Sequence, residues 1–162
     1  MEVERKMERA DIAIIGTGPG GVSAALTAKV RNKNILLIGK KQMSDKVSKA
    51  HQIMNYPGLP AVTGAQMAET FEKQLAMMEI DITDSRIGTV YAMGDYFAIQ
   101  AGEEMLEAES VILACGVVSG KTLPGEDEFL GRGVSYCATC DACFYKGKKA
   151  AVIGYGKDAE HE

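Results

Sequence analysis

From Asp11 to Ile15 the chain reads DIAII, an unbroken apolar stretch that stops at a glycine. A short run of that kind predicts a strand buried on both faces, as in a parallel sheet. GTGPGG follows from Gly16 to Gly21, and VSAALTAKVRN then places small and apolar residues at helical spacing. Asn34 to Ile38 (NILLI) predicts a second buried strand. Together these segments make a βαβ unit of about thirty residues. The polar, lysine-rich stretch from Gly39 to Gln52 predicts a loop. NYPGLP (Asn55 to Pro60) predicts turn or extended chain, because its prolines bar helix.

From Gly64 to Met78, GAQMAETFEKQLAMM puts Met67, Phe71, Leu75 and Met78 on one face. That spacing predicts an amphipathic helix whose methionines pack in the core. RIGTVYAM, DYFAIQA and EMLEAES alternate between short turns and predict a three-stranded antiparallel meander. VILAC (Val111 to Cys115) predicts another buried strand, ending at Gly116. A turn-rich linker, GVVSGKTLPGEDEFLGRG, leads to SYCATCDACF, and AAVIGYGKDAEHE then opens a second strand–glycine–helix pattern. The predicted fold class is α/β: a Rossmann-like domain with an antiparallel meander over residues 1–117, and the start of a second Rossmann-like domain over 118–162.

Composition narrows the function. The 162 residues are 46% apolar and 25% charged, an ordinary globular balance, and the net charge of −4 leaves no basic footprint for nucleic acid. No apolar run reaches bilayer length. The N-terminal MEVERKMERAD is charged, and IAII after it is too short for a signal-peptide core. The expectation is a cytoplasmic protein with no membrane partner, where closely spaced cysteines are catalytic or metal-binding more often than structural.

The first glycine motif follows a strand and opens a helix, which is the context that gives such a motif meaning. Gly16 permits the tight turn, Gly18 lets a pyrophosphate approach the backbone, and Gly21 lets helix and strand pack closely. The helix N-terminus supplies unsatisfied amides and a positive dipole end. At the end of the second strand, where such folds usually carry an acid for the ribose, stand Gly39, Lys40 and Lys41.

SYCATCDACF packs three of the four cysteines into seven positions. Cys137 and Cys140 are separated by two residues, so their sulfurs can join across one turn, and a helix start there would stabilise the first thiolate. Asp141 follows at once and could carry a proton to or from a thiolate. Cys143 extends the pattern to C-x-x-C-x-x-C, which also suits a metal-binding or iron–sulfur electron carrier, although a fourth ligand is not evident in the sequence. Cys115 and Cys143 otherwise read as small buried side chains.

Taken in order, GTGPGG, NYPG, the strand ending Ala114-Cys115-Gly116, PGE at Pro124 to Glu126, GVSYCATCD and FYKGK resemble the low-molecular-weight thioredoxin reductases. GVSYCATCD is the specific part of that resemblance, which covers nearly the whole chain. It implies a homodimeric FAD enzyme that reduces thioredoxin, with the redox pair carried on a nicotinamide-type domain that rotates. By position, Cys140 would face the flavin, Cys137 would attack the thioredoxin disulfide, and Asp141 would transfer the proton. Gly16, Gly18, Pro19, Gly20 and Gly21 would lie along the FAD pyrophosphate, with Gly39 and Lys40 at the end of the second strand and Asn55 near the flavin ring. Gly154 and Gly156 would receive NADPH. No residue is assigned to a metal.

Several positions depart from that family's pattern. Gly39 stands where an acid is usual, Cys115 replaces a threonine, and Lys157, Glu160 and His161 alter the second glycine motif. These changes resemble the branch of flavin thioredoxin reductases that take electrons from ferredoxin. NADPH and ferredoxin are therefore both retained as donors. Family members run about twice as far, so the expectation is a partial sequence of a larger enzyme.

Overall fold

The computed structural model describes residues 9–42, 45–116, 122–136 and 138–154, apart from the side chains of residues 45, 46, 127, 139 and 140. β1 (Ala10–Ile15), α1 (Pro19–Val30) and β2 (Ile35–Gly39) form the expected βαβ unit, with β1 and β2 parallel and Ile14 opposite Leu37. α2 (Asp45–Ser48) and α3 (Gly64–Met77) follow. Then come β3 (Ile82–Asp84), β4 (Ile87–Ala92), β5 (Phe97–Ala101) and β6 (Glu104–Leu113). Among the described residues, six strands make one sheet in the order β3-β2-β1-β6-β5-β4.

β6 is the hinge of this topology. Its first half pairs antiparallel with β5, where Leu106 faces Ile99, and its second half pairs parallel with β1, where Ile112 faces Ile14. The expected third meander strand and the separate strand at Val111 to Cys115 are thus one ten-residue strand. The alternating pattern of EMLEAES gives way to the continuous VIL because the neighbour changes, not because the chain turns. The expected burial of that last stretch does not hold: Ile112 is 39% and Leu113 72% exposed. β3 was not expected; three residues are too few to show alternation. The stretch expected as a loop after β2 contains the four-residue α2.

Alternate residues of β1 and β2 enter two cores, as strand geometry requires. Ile14 and Leu37 join Val22 and Ala25 of α1 and Met67, Phe71 and Leu75 of α3. Ala13, Ile15 and Ile38 join Ile99, Ala101, Leu106 and Ala108 of the meander. The stripe on α3 is buried as expected, with Met78 partly buried beside it. Thr63 caps α3: its hydroxyl accepts from the Gln66 amide while the Gln66 side chain accepts from the Thr63 amide. No helix among the described residues is long and apolar enough to cross a membrane.

After β6 come α4 (Glu126–Phe129) and α5 (Ala138–Asp141), then a 3₁₀ turn over Ala142–Tyr145. The strand expected at Ala150 to Gly154 is not formed; those residues are exposed and pair with no strand among the described residues. The expected division at residue 117 and the second glycine motif beyond Gly154, Gly156 included, fall outside the described residues.

Candidate cofactor turn and redox-cysteine segment

The glycine turn sits at the carboxyl ends of three parallel-paired strands, the position where open α/β sheets bind ligands. Gly16 leaves β1 with φ +120, its amide donating to the Ile38 carbonyl at 2.8 Å. Alongside, the Ala114 amide donates to the Ile15 carbonyl at 2.8 Å, drawing the end of β6 against the turn. Gly18 is the extended N-cap of α1, with Pro19 at the helix start and no acidic residue in the first turn. Among the described residues no side chain caps this end, which leaves the first helical amides open to a ligand.

The glycines are not equivalent. A β-carbon on Gly21 would lie 1.8 Å from the Gly16 carbonyl oxygen, so Gly21 is required for packing. A β-carbon on Gly18 would meet nothing within 4 Å among the described residues. Space is therefore open at the one position where a pyrophosphate is expected to approach the backbone. Gly20 is nearly as open, with only the Ala114 β-carbon at 4.0 Å. The turn fits a dinucleotide diphosphate.

Thr17, a residue with no assigned role in the sequence reading, binds the next strand to this turn. It is buried, and its hydroxyl donates to the Lys40 carbonyl at 2.7 Å. Gly39, at φ +157, would place a β-carbon 3.0 Å from the Thr17 methyl. The absent acid at the end of β2 thus has a steric counterpart: Thr17 already fills the space beside it. Lys40 and Lys41 are exposed.

Asn55 is exposed at the start of the NYPG loop, which an isolated bridge between Ile53 and Val62 closes. The Tyr56 hydroxyl lies 3.2 Å from that of Ser23 on α1, and its ring meets Phe71 edge-on at 5.5 Å. The loop carrying Asn55 is therefore pinned to the helix that the glycine turn opens.

In the cysteine segment, α5 begins directly after position 137 and ends with Asp141. Cys137 and the side chain of Cys140 lie outside the described residues. Asp141 is half-buried, and the Ser135 hydroxyl donates to its Oδ2 at 2.6 Å. Tyr136 donates its hydroxyl to Glu126, which also accepts the Leu123 amide. Those two bonds, the tyrosine's first, hold the Glu126 carboxyl below its ordinary value. The PGE turn and the segment leading into the cysteines are thereby tied together. The expectation that Cys115 and Cys143 are buried is corrected: both are free thiols and exposed. Cys115 lies just past the last residue of β6, its thiol 3.7 Å from the Ile15 carbonyl, and Cys143 sits on the 3₁₀ turn.

Sequence reasoning singled out the glycines and Asp141 but gave no role to Thr17, Ser135 or the Tyr136–Glu126 pair. Each works through a hydrogen bond spanning 6 to 23 positions, which neither helical nor strand periodicity reports.

Comparison with known proteins agrees with this geometry. The family model described as pyridine nucleotide-disulphide oxidoreductase matches residues 10–157. The thioredoxin reductase of Treponema pallidum is 39% identical over 92% of this chain and 49% of its own length. That of Bacillus subtilis is 33% identical over 94% of this chain and 48% of its own. The chain spans about half the length of the curated relatives it matches. Among solved structures, a ferredoxin-flavin thioredoxin reductase from Clostridium acetobutylicum is 51% identical with TM-score 0.68, covering 96% of this chain and 54% of that one. A thioredoxin reductase from Streptococcus pyogenes gives TM-score 0.77 at 31% identity, over 85% of this chain and 45% of that one. The strand, glycine turn and helix at 10–30, the meander and the cysteine segment all fall within the matched residues, and the chain belongs to the pyridine nucleotide-disulphide oxidoreductase family.

Proposed function

We propose that this chain carries the dinucleotide turn and the redox dithiol of an FAD-dependent thioredoxin reductase. The observation that carries the reading is the open glycine turn at Gly18, in a chain whose curated relatives are thioredoxin reductases. Residues 1–117 supply the FAD side and residues 118–162 begin the domain bearing the cysteines. FAD supplies the means to pass an electron pair from a donor to a disulfide. Gly16, Gly18, Pro19, Gly20 and Gly21 seat its pyrophosphate on the start of α1, while Gly39 and Lys40 border the adenosine end and Asn55 the ring.

Cys137 and Cys140 are the redox pair. The Cys137 thiolate attacks the thioredoxin disulfide and expels one partner thiolate, leaving a mixed disulfide. Cys140 loses its proton, attacks the Cys137 sulfur and releases the second partner thiolate. The products are the thioredoxin dithiol and the Cys137–Cys140 disulfide. Asp141 moves the proton to or from the cysteine sulfurs. The reading goes with a cytoplasmic homodimer.

For the donor, the 51% identity to a ferredoxin-flavin thioredoxin reductase, against 31% to the Streptococcus enzyme, favours reduced ferredoxin over NADPH at Gly154 and Gly156. The test is anaerobic mixing of the full-length protein, loaded with FAD, with NADPH, NADH or reduced ferredoxin. Flavin bleaching by ferredoxin alone is expected; rapid bleaching by NADPH at micromolar concentration overturns the ferredoxin assignment. The dithiol is tested separately. Cys140→Ser should trap thioredoxin on Cys137 as a stable mixed disulfide, and Cys137→Ser should trap nothing. Trapping through Cys143 refutes the assignment.

A further inference from the structure

The Ser135 hydroxyl donates to Asp141 Oδ2 at 2.6 Å, six positions along the chain. Both residues are half-buried. The serine is itself held on either side. Its neighbour Tyr136 donates to Glu126, which is anchored by the Leu123 amide, and on the other flank Val134 donates its amide to Phe129 at 2.9 Å. Ser135 is thus a fixed point in the segment, and the carboxylate at the end of α5 is fastened to it.

A carboxylate that turns freely about its last torsion presents two equivalent oxygens. Fastening one of them by a charge-assisted hydrogen bond leaves the other as the defined site for a proton. We propose that Ser135 is a positioning residue for Asp141: it holds Oδ2, so that Oδ1 is the oxygen through which Asp141 exchanges its proton. The inference rests on the role of Asp141 given above. In the resolving step proposed above, Cys140 gives its proton to the Asp141 carboxylate. The resulting thiolate attacks the mixed disulfide at Cys137, and the partner thiolate leaves and is protonated by solvent. The proton on Asp141 then returns to water. Ser135 keeps its own proton throughout and touches no reacting atom.

A merely structural role, in which the serine only steadies the loop, makes a different prediction, and a double-mutant cycle separates the two. The full-length protein, loaded with FAD and reduced with dithionite, is mixed with oxidised thioredoxin, and the saturating rate and half-saturating concentration are measured. Ser135→Ala should lower the saturating rate about tenfold, the loss expected for one hydrogen bond to a charged group, with the half-saturating concentration unchanged. Ser135→Thr, which keeps the hydroxyl, should restore the rate to within about twofold. In an Asp141→Asn background, Ser135→Ala should have no further effect. If Asp141→Asn is slow but Ser135→Ala is not, the positioning role is wrong. An equal loss from Ser135→Ala in both backgrounds makes the serine structural, which also overturns it. A full rate in Asp141→Asn removes the proton-carrying role of Asp141 itself, and the inference falls with it.

Discussion

The carbonyl oxygen of Ala114 stands 2.1 Å from the point a β-carbon on Gly16 would occupy. The end of β6 is therefore in backbone contact with the glycine turn, and no side-chain movement can relieve a substitution there. Gly16→Ala also forces a left-handed φ on a residue with a side chain. It should cost about 3 kcal/mol or more in a urea melt. Gly18→Ala meets open space and should change stability by less than about 0.5 kcal/mol. Its effect should appear instead as at least a tenfold weaker FAD affinity, because a methyl group then stands at the proposed pyrophosphate site. Equal stabilities for the two variants would contradict the contact between Gly16 and Ala114.

On α3, burial separates two residues of similar chemistry. Phe71 is 4% exposed in the core between α1 and α3, and Met77 is 83% exposed. Phe71→Ala should destabilise by about 3–5 kcal/mol, through lost burial and the cavity left behind. Met77→Ala should stay within about 0.5 kcal/mol of the parent. Thermal and urea unfolding of the two variants checks the assignment of faces.

The start of α3 offers a smaller and more local test. Removing the Thr63 hydroxyl leaves the Gln66 amide without its cap. Thr63→Ala should cost about 1 kcal/mol, while Thr63→Ser should keep most of the capping. Hydrogen exchange at the first amides of α3 should quicken in the alanine variant only.

Acid should loosen the tie between the PGE turn and the cysteine segment. The folded Glu126 carboxyl titrates below its ordinary value of 4.5, chiefly through the Tyr136 hydroxyl. A group with a depressed folded value stabilises fully above its unfolded value, and that contribution is lost as the pH falls through the folded one. Tyr136→Phe removes the main cause. The stability difference between parent and variant should hold steady from neutral pH to about pH 5 and shrink below it. A difference that grows in acid would mean the tyrosine acts on some other group.

Much of the fold was legible because its period was unambiguous. DIAII and NILLI are continuous runs buried on both faces, and Met67, Phe71 and Leu75 repeat at four-residue steps. The errors came where local pattern and neighbour disagreed. β6 changes from alternating to continuous because β5 covers one end of it and β1 the other. The exposure of Leu113 contradicts its apolar character, which no local rule detects. α2, α4 and α5, at four residues each, are too short to show a helical period. At the site, glycines carry their backbone geometry in their identity, so the turn could be read. The pairings of Thr17 with the Lys40 carbonyl and of Ser135 with Asp141 arise only once the chain has folded.

The double pairing of β6 also bears on how the chain assembles. The Ser110 hydroxyl donates to the Asp11 carbonyl at 2.9 Å across a separation of 99 positions. Closing a loop of that length costs about 4 kcal/mol in chain entropy before any contact repays it. The β5–β6 hairpin needs only the short turn at Gly102 and Glu103, so it can form first and present β6 as a ready edge. During synthesis β1 emerges about a hundred residues ahead of the strand it must pair with, and one of its edges waits open. Docking of β6 onto β1 is then the expected slow step. Weakening Ile15 or Val111, which share the core beside the meander, should slow folding, whereas weakening Leu75 on α3 should mainly speed unfolding.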